Sequence, residues 1–337
     1  MRRRRYLLPI FCFAFISTTL ACSAPATAAS ASSERPVWTP IDQVSSLGEY
    51  TQYTALACAN ASDCIAATDS THYNSFSIFN GRQWSGLSQF ASFEGEVLSL
   101  ACPAADDCLA ANANGTVQRF NGSSWSHAIA VGPLSATLYP GVLRTLSCSS
   151  TRFCVAVDGL GGAASYDGSS WTRPATIDAA YPLNDVACTA GDLCVAVDGG
   201  GRVLLYRAGH WSVPSQIDSA ALTSIACASS RYCAASDVLG RVTIYDGSSW
   251  SAPKPLTNAF AAPLAISCPA NRECLALDGS GAVHVLRDGR WHSFEGVFPG
   301  VGTGGFNASV SCPSTEFCAA VEGFGTAEVT HDPFASS

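Results

Sequence analysis

Lysine is nearly missing from this chain: of 18 basic residues only Lys254 is a lysine. Charge of either sign is sparse, at 13% of the residues, and it leans acidic, with a formal net charge of −8. Four of the arginines, Arg2 to Arg5, sit at the N-terminus, and without those four the remainder goes from −8 to −12. A body that acidic has no electrostatic means of holding nucleic acid or an anionic membrane surface. Long apolar runs are lacking too. The stretch from Tyr6 to Ala21 is too short and wrongly flanked for a stable membrane span. Catalytic signatures are also absent: there is no Gly-x-Ser-x-Gly elbow and no His-Glu-x-x-His. The six histidines (His72, His127, His210, His284, His292, His331) are scattered, glutamate is scarce, and no isolated acid pair stands out. At 47% hydrophobic residues the chain has ample material for a large core.

The N-terminus has a positive region, an apolar stretch and then small residues, with Ala26-Thr27-Ala28 a signal-peptidase site. The expected organisation is a signal peptide over 1–28, an Ala/Ser-rich linker over 29–36 and one repeat domain over 37–333. A second processing route stays open. Thr19-Leu20-Ala21-Cys22 resembles the lipobox of bacterial lipoproteins, with Thr19 where a large aliphatic residue is usual. Cleavage before Cys22 would make that cysteine the lipidation site, and the linker a tether. Either route places the protein outside the cytoplasm, secreted or lipid-anchored at the cell surface.

Sixteen cysteines in an exported chain point to disulfides. Cys12 and Cys22 belong to the leader. The other fourteen form seven pairs with five residues between the partners: Cys58/Cys64, Cys102/Cys108, Cys148/Cys154, Cys188/Cys194, Cys227/Cys233, Cys268/Cys274 and Cys312/Cys318. Successive pairs lie 39 to 46 residues apart, the period of four-stranded propeller blades. In the fifth unit, Leu222 to Cys227 alternates apolar with small or polar residues, as a strand does. A polar loop, a second strand from Cys233 and a third, Arg241 to Tyr245, follow. Asp246-Gly247 makes a hairpin turn. The stretch from Trp250 to Leu256 is the fourth strand, and its prolines confine it to an edge.

The seven tryptophans set the blade count. Six follow a cysteine pair, at 17 residues in five units and 20 in the first. The seventh unit ends without one, while Trp38 precedes the first pair with no unit of its own. The fold expected is therefore all-β: a seven-bladed β-propeller of four-stranded blades, closed by the N-terminal strand completing the last blade, in the manner of WD40-type propellers. Closure removes the exposed sheet edges of an open array. The phrase from Ser147 to Trp171 (Ser-Cys…Phe-Cys-Val-Ala-Val-Asp…Tyr-Asp-Gly-Ser-Ser-Trp) resembles repeats of exported, largely uncharacterised proteins of high-GC bacteria, which are read as propeller blades. The resemblance spans 38 to 332. It implies the fold and almost nothing about function. The Asp-Gly-Ser-Ser-Trp turns also resemble the Asp-box of sialidases, with a different Asp–Gly spacing.

Cysteines that flank a five-residue hairpin loop stand opposite each other, roughly 5 Å apart at Cα, so seven hairpin disulfides are expected. Each closes a short loop and contributes about 2 kcal/mol. Zinc sites need four convergent ligands, which seven pairs spread around a ring do not supply, so no metal and no cofactor is expected.

In such a blade one face carries the cysteine loops and the Asp-Gly-Ser-Ser turns, which are nearly uniform. The other carries the second-to-third turns and the loops between blades, which vary most. Variable loops on a rigid ring are where binding usually sits. Their aromatics are the candidate ligand contacts: Tyr53, Phe93, Tyr139, Tyr181, Phe260, Phe298 and Phe306, joined by Tyr73 from an insertion in the first unit. Such rings stack on sugars or hold peptide side chains; the alternative role is packing between blades. Four residues after the second cysteine stand Thr68, Asn112, Asp158, Asp198, Asp237, Asp278 and Glu322. These read as turn caps rather than a Ca²⁺ ring, because Asp bonds its own backbone in Gly-rich turns. The expected function is a monomeric, non-catalytic binding module for a carbohydrate or an extracellular protein. The alternatives are a glycan-active enzyme, of sialidase-like hydrolase or lyase type and drawing on Arg144, Arg202 and Arg241, or a purely structural surface protein.

Overall fold

The computed structural model describes residues 36–40, 52–69, 74–92, 95–131, 143–191, 193–257, 263–295, 308–322 and 327–335. The leader, with its cleavage sites and Cys22, lies outside them. The described residues form seven antiparallel sheets and no helix. Each sheet is one repeat. Blade 4, for example, runs from the inner strand Leu183–Thr189 through Leu193–Asp198 and Arg202–Arg207 to an outer edge in two pieces, His210–Trp211 and Ser215–Gln216. Blade 7 takes three strands from the C-terminal end, Ala308–Ser314, Phe317–Glu322 and Ala327–His331, and its fourth from Trp38–Pro40. Trp38 pairs with Thr330 and Pro40 with Glu328. The N-terminal strand therefore closes a seven-bladed β-propeller.

The core consists of seven seams, one at each blade junction. The seam between blades 3 and 4 brings Val155 and Val157 against Leu183, Val186 and Leu204. Middle strands carry alanine where a larger side chain would hold neighbouring sheets apart. Ala66, Ala110, Ala196, Ala234 and Ala276 are all fully buried, which permits packing at native density.

All seven disulfides are present, each between cysteines six apart in sequence. Their Cα atoms stand 3.9 to 4.1 Å apart, closer than the sequence spacing suggests. The Cys188 amide donates to Ser147 of the neighbouring blade instead of to Cys194. That makes the two a non-hydrogen-bonded pair, the closer of the two antiparallel kinds. In four blades the cysteines are direct cross-strand partners, Cys148 with Cys154 and Cys188 with Cys194 among them. In blades 2, 6 and 7 the pairs Cys102/Cys108, Cys268/Cys274 and Cys312/Cys318 fall at a shift in register.

The second cysteine of each pair lies in the core rather than at the rim. Cys64, Cys108, Cys154, Cys194, Cys233, Cys274 and Cys318 are all buried, none more than 1% exposed. Each lies at the start of its blade's second strand, where the neighbouring blade covers it. Cys108 packs with Ile65 of blade 1, Cys154 with Leu109 of blade 2, and Cys274 with Tyr232 of blade 5. Cys268 and Cys312 are buried as well. These cysteines are core residues that staple the blades, and they offer no contact to a ligand.

Outer strands are shorter than the sequence suggests. In blade 5 only Lys254–Pro255 is strand, with Trp250 bridging Tyr245 alone. The cause is the residue after the tryptophan. The amide of Ser251 donates to the Ile244 carbonyl at 2.8 Å, and its Oγ accepts from the Ile244 amide at 3.1 Å. One residue thus meets both partners with a hydroxyl standing in for a main-chain carbonyl, and the strand bulges there. Ser85, Ser126, Thr172 and Ser212 repeat this in blades 1 to 4. Blade 6 has His292 at that position and keeps a continuous outer strand, Arg290–Phe294.

Candidate functional site

In blades 3 to 6 the aspartate four beyond the second cysteine caps the turn between the second and third strands. Asp198 Oδ1 accepts from the Gly200 and Arg202 amides, both at 2.8 Å, and Asp237 Oδ1 accepts from the Leu239 and Arg241 amides at 2.9 and 2.8 Å. Asp158 and Asp278 cap their turns in the same way. The turn-cap reading holds for these four aspartates, whereas Thr68 Oγ1 donates to the Ser75 carbonyl and Asn112 Nδ2 to the Thr116 carbonyl and hydroxyl, and the turn after Glu322 lies outside the described residues. Among the described residues no group of three or more His, Cys, Asp or Glu side chains is placed to hold a metal ion.

Two arginines considered for catalysis are tied into the blade junctions. Arg202 donates through Nε to Asp198 Oδ2 at 2.7 Å and through Nη2 to Asp178, which comes from the loop between blades 3 and 4. Arg241 repeats the fork one blade on, reaching Asp237 Oδ2 at 2.5 Å and Asp218 of the next loop. Burial and the neighbouring Asp178 carboxyl push the Asp198 carboxyl above the usual range. In blade 6, His284 Nε2 takes the arginine's place, 2.9 Å from Asp278 Oδ2. Arg144 is exposed at the channel mouth.

The forked arginine also builds a platform. Its guanidinium carbon lies 4.7 Å from the centroid of the Tyr181 ring, in cation–π range. From below, the ring rests on the turn of blade 4. A Cβ on Gly200 would come within 2.7 Å of two ring carbons, so the flat seat needs glycine. The Tyr181 amide donates to Asp178 Oδ1 at 3.3 Å, which fixes the loop beneath. Tyr181 is 46% exposed. The neighbouring turns on this face present Leu160, 55% exposed, from blade 3, and Val238 and Leu239, 44% and 45% exposed, from blade 5. These three were not among the sequence candidates, which were aromatic only. The readable signal was apolar residues inside Asp-Gly-Leu-Gly and Asp-Val-Leu-Gly turns, where the turn chemistry itself asks for none.

Of the aromatic candidates, Tyr53 is corrected: it is fully buried between blades 1 and 7, near Phe317 and Val329, and cannot meet a ligand there. Burial alone pushes its hydroxyl pKa well up. Phe90, three residues before Phe93 in the chain, packs against Phe76 and Trp125. Tyr73, Phe93, Tyr139, Phe260, Phe298 and Phe306 lie outside the described residues.

The inner strands enclose a central channel of about 470 Å³. Serines stitch neighbouring blades around it. Ser147 Oγ accepts from the Cys188 amide at 2.9 Å, and Ser311 Oγ accepts from the Cys58 amide at 3.0 Å across the closure. At one blade a carboxylate does this work. Asp185 Oδ2 accepts from the Ile225 amide at 2.8 Å and the Ser224 hydroxyl at 3.0 Å, and Oδ1 from the Val186 amide at 2.8 Å. Burial raises its pKa against the pull of those bonds.

No protein-family model matches the chain, and no curated protein sequence matches it. Solved structures do match in fold. A structure described as YCF48 bound to D1 peptide superposes with a TM-score of 0.66 at 15% identity, over 92% of this chain and 99% of that one. YCF48 from Cyanidioschyzon merolae gives 0.63 at 14%, over 87% and 98%. The WD40 β-propeller domain of Doa1 gives 0.65 at 11%, over 86% and 96%. At these identities the likeness establishes the propeller fold.

Proposed function

We propose that this propeller is an exported, non-catalytic binding module whose ligand is a segment of another protein, held on the interblade-loop face across blades 3 to 5. The observation that carries the reading is the Tyr181 ring, fixed by Gly200 and Arg202 and flanked by exposed Leu160, Val238 and Leu239. A rigid aromatic anchor beside aliphatic side chains suits apolar residues of a peptide. A YCF48 propeller of similar fold has been solved bound to a peptide, which is compatible with this use of the architecture. The carboxylates that a glycan-active enzyme could draw on, Asp158, Asp198, Asp237 and Asp278, are engaged in turn capping, so hydrolase or lyase chemistry has no support there. Seven disulfides fit an oxidising, extracytoplasmic compartment. Export through the N-terminal signal, with or without lipidation at Cys22, belongs to the same proposal, and intact mass of the purified protein distinguishes the two routes.

A carbohydrate ligand is the second reading, since one exposed tyrosine can stack on a sugar face. Parallel screening of defined peptide and glycan arrays with wild type and Tyr181→Ala separates them. Peptide hits lost in the variant support the proposal. Glycan hits lost in the variant, with no peptide hits, replace the protein ligand by a sugar. Hits that persist in the variant place the site elsewhere.

A further inference from the structure

Fourteen cysteines can pair in very many ways, yet the set formed here is the simplest. Each joins its neighbour in chain order, six residues away. The shortest link between different pairs, Cys194 to Cys227, would span 33 residues. Loop closure weakens as roughly the three-halves power of loop length, so the native partner leads by about tenfold in the unfolded chain. Both cysteines of a pair lie on one hairpin, so forming that hairpin is enough to bring them opposite each other.

Accessibility adds the second constraint. The second cysteine of every pair is at most 1% exposed. Each is buried in a seam shared with a neighbouring blade: Cys194 packs with Val155 and Leu183, and Cys318 with Leu275 and Phe334. An oxidising disulfide must approach the thiolate closely for exchange, and at the second cysteine a docked blade leaves no room for it. The first cysteines Cys58, Cys102, Cys148, Cys188 and Cys227 are half-buried and line the central channel, which is too narrow to admit an oxidase.

We propose that each pair is oxidised while its hairpin is still undocked, by a dithiol oxidase of the compartment where the chain folds, and that no disulfide isomerase is required. One cysteine thiolate attacks the oxidase disulfide, forming a mixed disulfide and releasing one oxidase thiolate. The second cysteine thiolate attacks the sulfur of the first, closing the hairpin bond and expelling the other oxidase thiolate. Two electrons pass to the oxidase, whose dithiol takes up the two protons lost by the hairpin. Seven such exchanges complete the chain. This proposal is independent of the ligand reading.

The test is oxidative refolding of the reduced, urea-unfolded full chain with oxidised glutathione as the only oxidant. The expected products are the seven six-residue links by peptide mapping, in a yield unchanged by added isomerase. Predominant long-range links that an isomerase must clear would overturn the proposal. In a second arm the reduced chain is diluted from urea before the oxidant is added. Oxidation at least about tenfold slower than for the unfolded chain, or failure to fold until oxidised, supports the order. An equal rate from a folded, reduced ring contradicts it. In Cys58→Ser, Cys64 is expected to remain a free thiol by labelling in denaturant; a Cys64–Cys102 link sinks the claim that pairing is local.

Discussion

Gly161 and Gly209 both sit in left-handed turns, at φ +77° and +85°, on opposite rims of the ring. A Cβ at Gly161 would stand 1.7 Å from the Asp178 carbonyl oxygen, whereas at Gly209 nothing lies within 4 Å. Gly201 and Gly289 repeat the contrast: the first would meet the Asp218 carbonyl at 2.3 Å and the second meets nothing. On the rim of uniform sequence the Gly209 and Gly289 turns stand open, while turns such as Asp167 to Ser170 satisfy their own hydrogen bonds and meet the cysteine loop beside them, with a Cβ on Gly168 3.1 Å from Arg152 Cγ. The rim of variable sequence, in blades 3 to 5, is made of turns clamped to the loop that leads to the next blade. The variable rim in blades 3 to 5 is thus held against main chain, and it is where exposed Tyr181, Leu160, Val238 and Leu239 are found.

The largest expected effect breaks the clamped rim. Gly161→Ala or Gly201→Ala combines a left-handed backbone with a collision against main chain, and is expected to cost about 3 kcal/mol or more. Gly209→Ala carries only the backbone penalty, about 1 kcal/mol. Urea unfolding of the three variants checks the contrast. Next is Tyr181→Ala, expected to weaken an array-selected peptide about 30-fold while leaving the unfolding midpoint close to wild type. Gly200→Ala, which displaces the ring from its seat, is expected to weaken binding in the same direction and to a smaller extent; titration calorimetry reads both.

A subtler effect concerns Asp185. Its folded pKa is raised by burial, so the folded ring takes up this proton before the unfolded chain does. The stability it contributes is complete below the unfolded pKa and is lost as pH rises through the folded pKa. Asp185→Asn is expected to flatten the stability profile above the usual carboxylate range; an unchanged slope assigns that profile to other groups. The smallest effect belongs to Asp167, pulled down to about 2 by the Ser169 hydroxyl and the Ser170 and Ser169 amides. Its contribution is present above the unfolded pKa and lost as pH falls through about 2. Asp167→Asn is expected to lower the midpoint at pH 7 only slightly, because Asn121 accepts from the Ser123 and Ser124 amides in the same turn of blade 2 without a charge, and the difference from wild type should vanish as pH falls through about 2.

The fold was legible because its determinants are local and repeated. Cysteine spacing, tryptophan spacing and the unpartnered position of Trp38 need no knowledge of distant contacts. The turn caps were legible for the same reason, since Asp198 bonds residues two and four further on. What covers each second cysteine was not, because the residues over Cys154 or Cys274 belong to the preceding blade. The broken outer strand was missed because a hydroxyl can replace a main-chain acceptor, as Ser251 does, without changing the apolar pattern. The site was half legible. Tyr53 and Tyr181 look alike in sequence, but Tyr53 is covered by Phe317 and Val329, more than 260 residues away along the chain. Tyr181 is left open because Gly200 gives it a seat on the next blade. Neither outcome is encoded near the tyrosine itself.

The most direct measurement is hydroxyl-radical footprinting of the full chain with and without a peptide selected on the array. Binding at the interblade-loop rim gives protection at Leu160, Tyr181, Val238 and Leu239, with Val213 and Ile129 on the outer edge unchanged. Protection of Val213 or Ile129, with Tyr181 labelled as strongly as in the free protein, contradicts the proposed site.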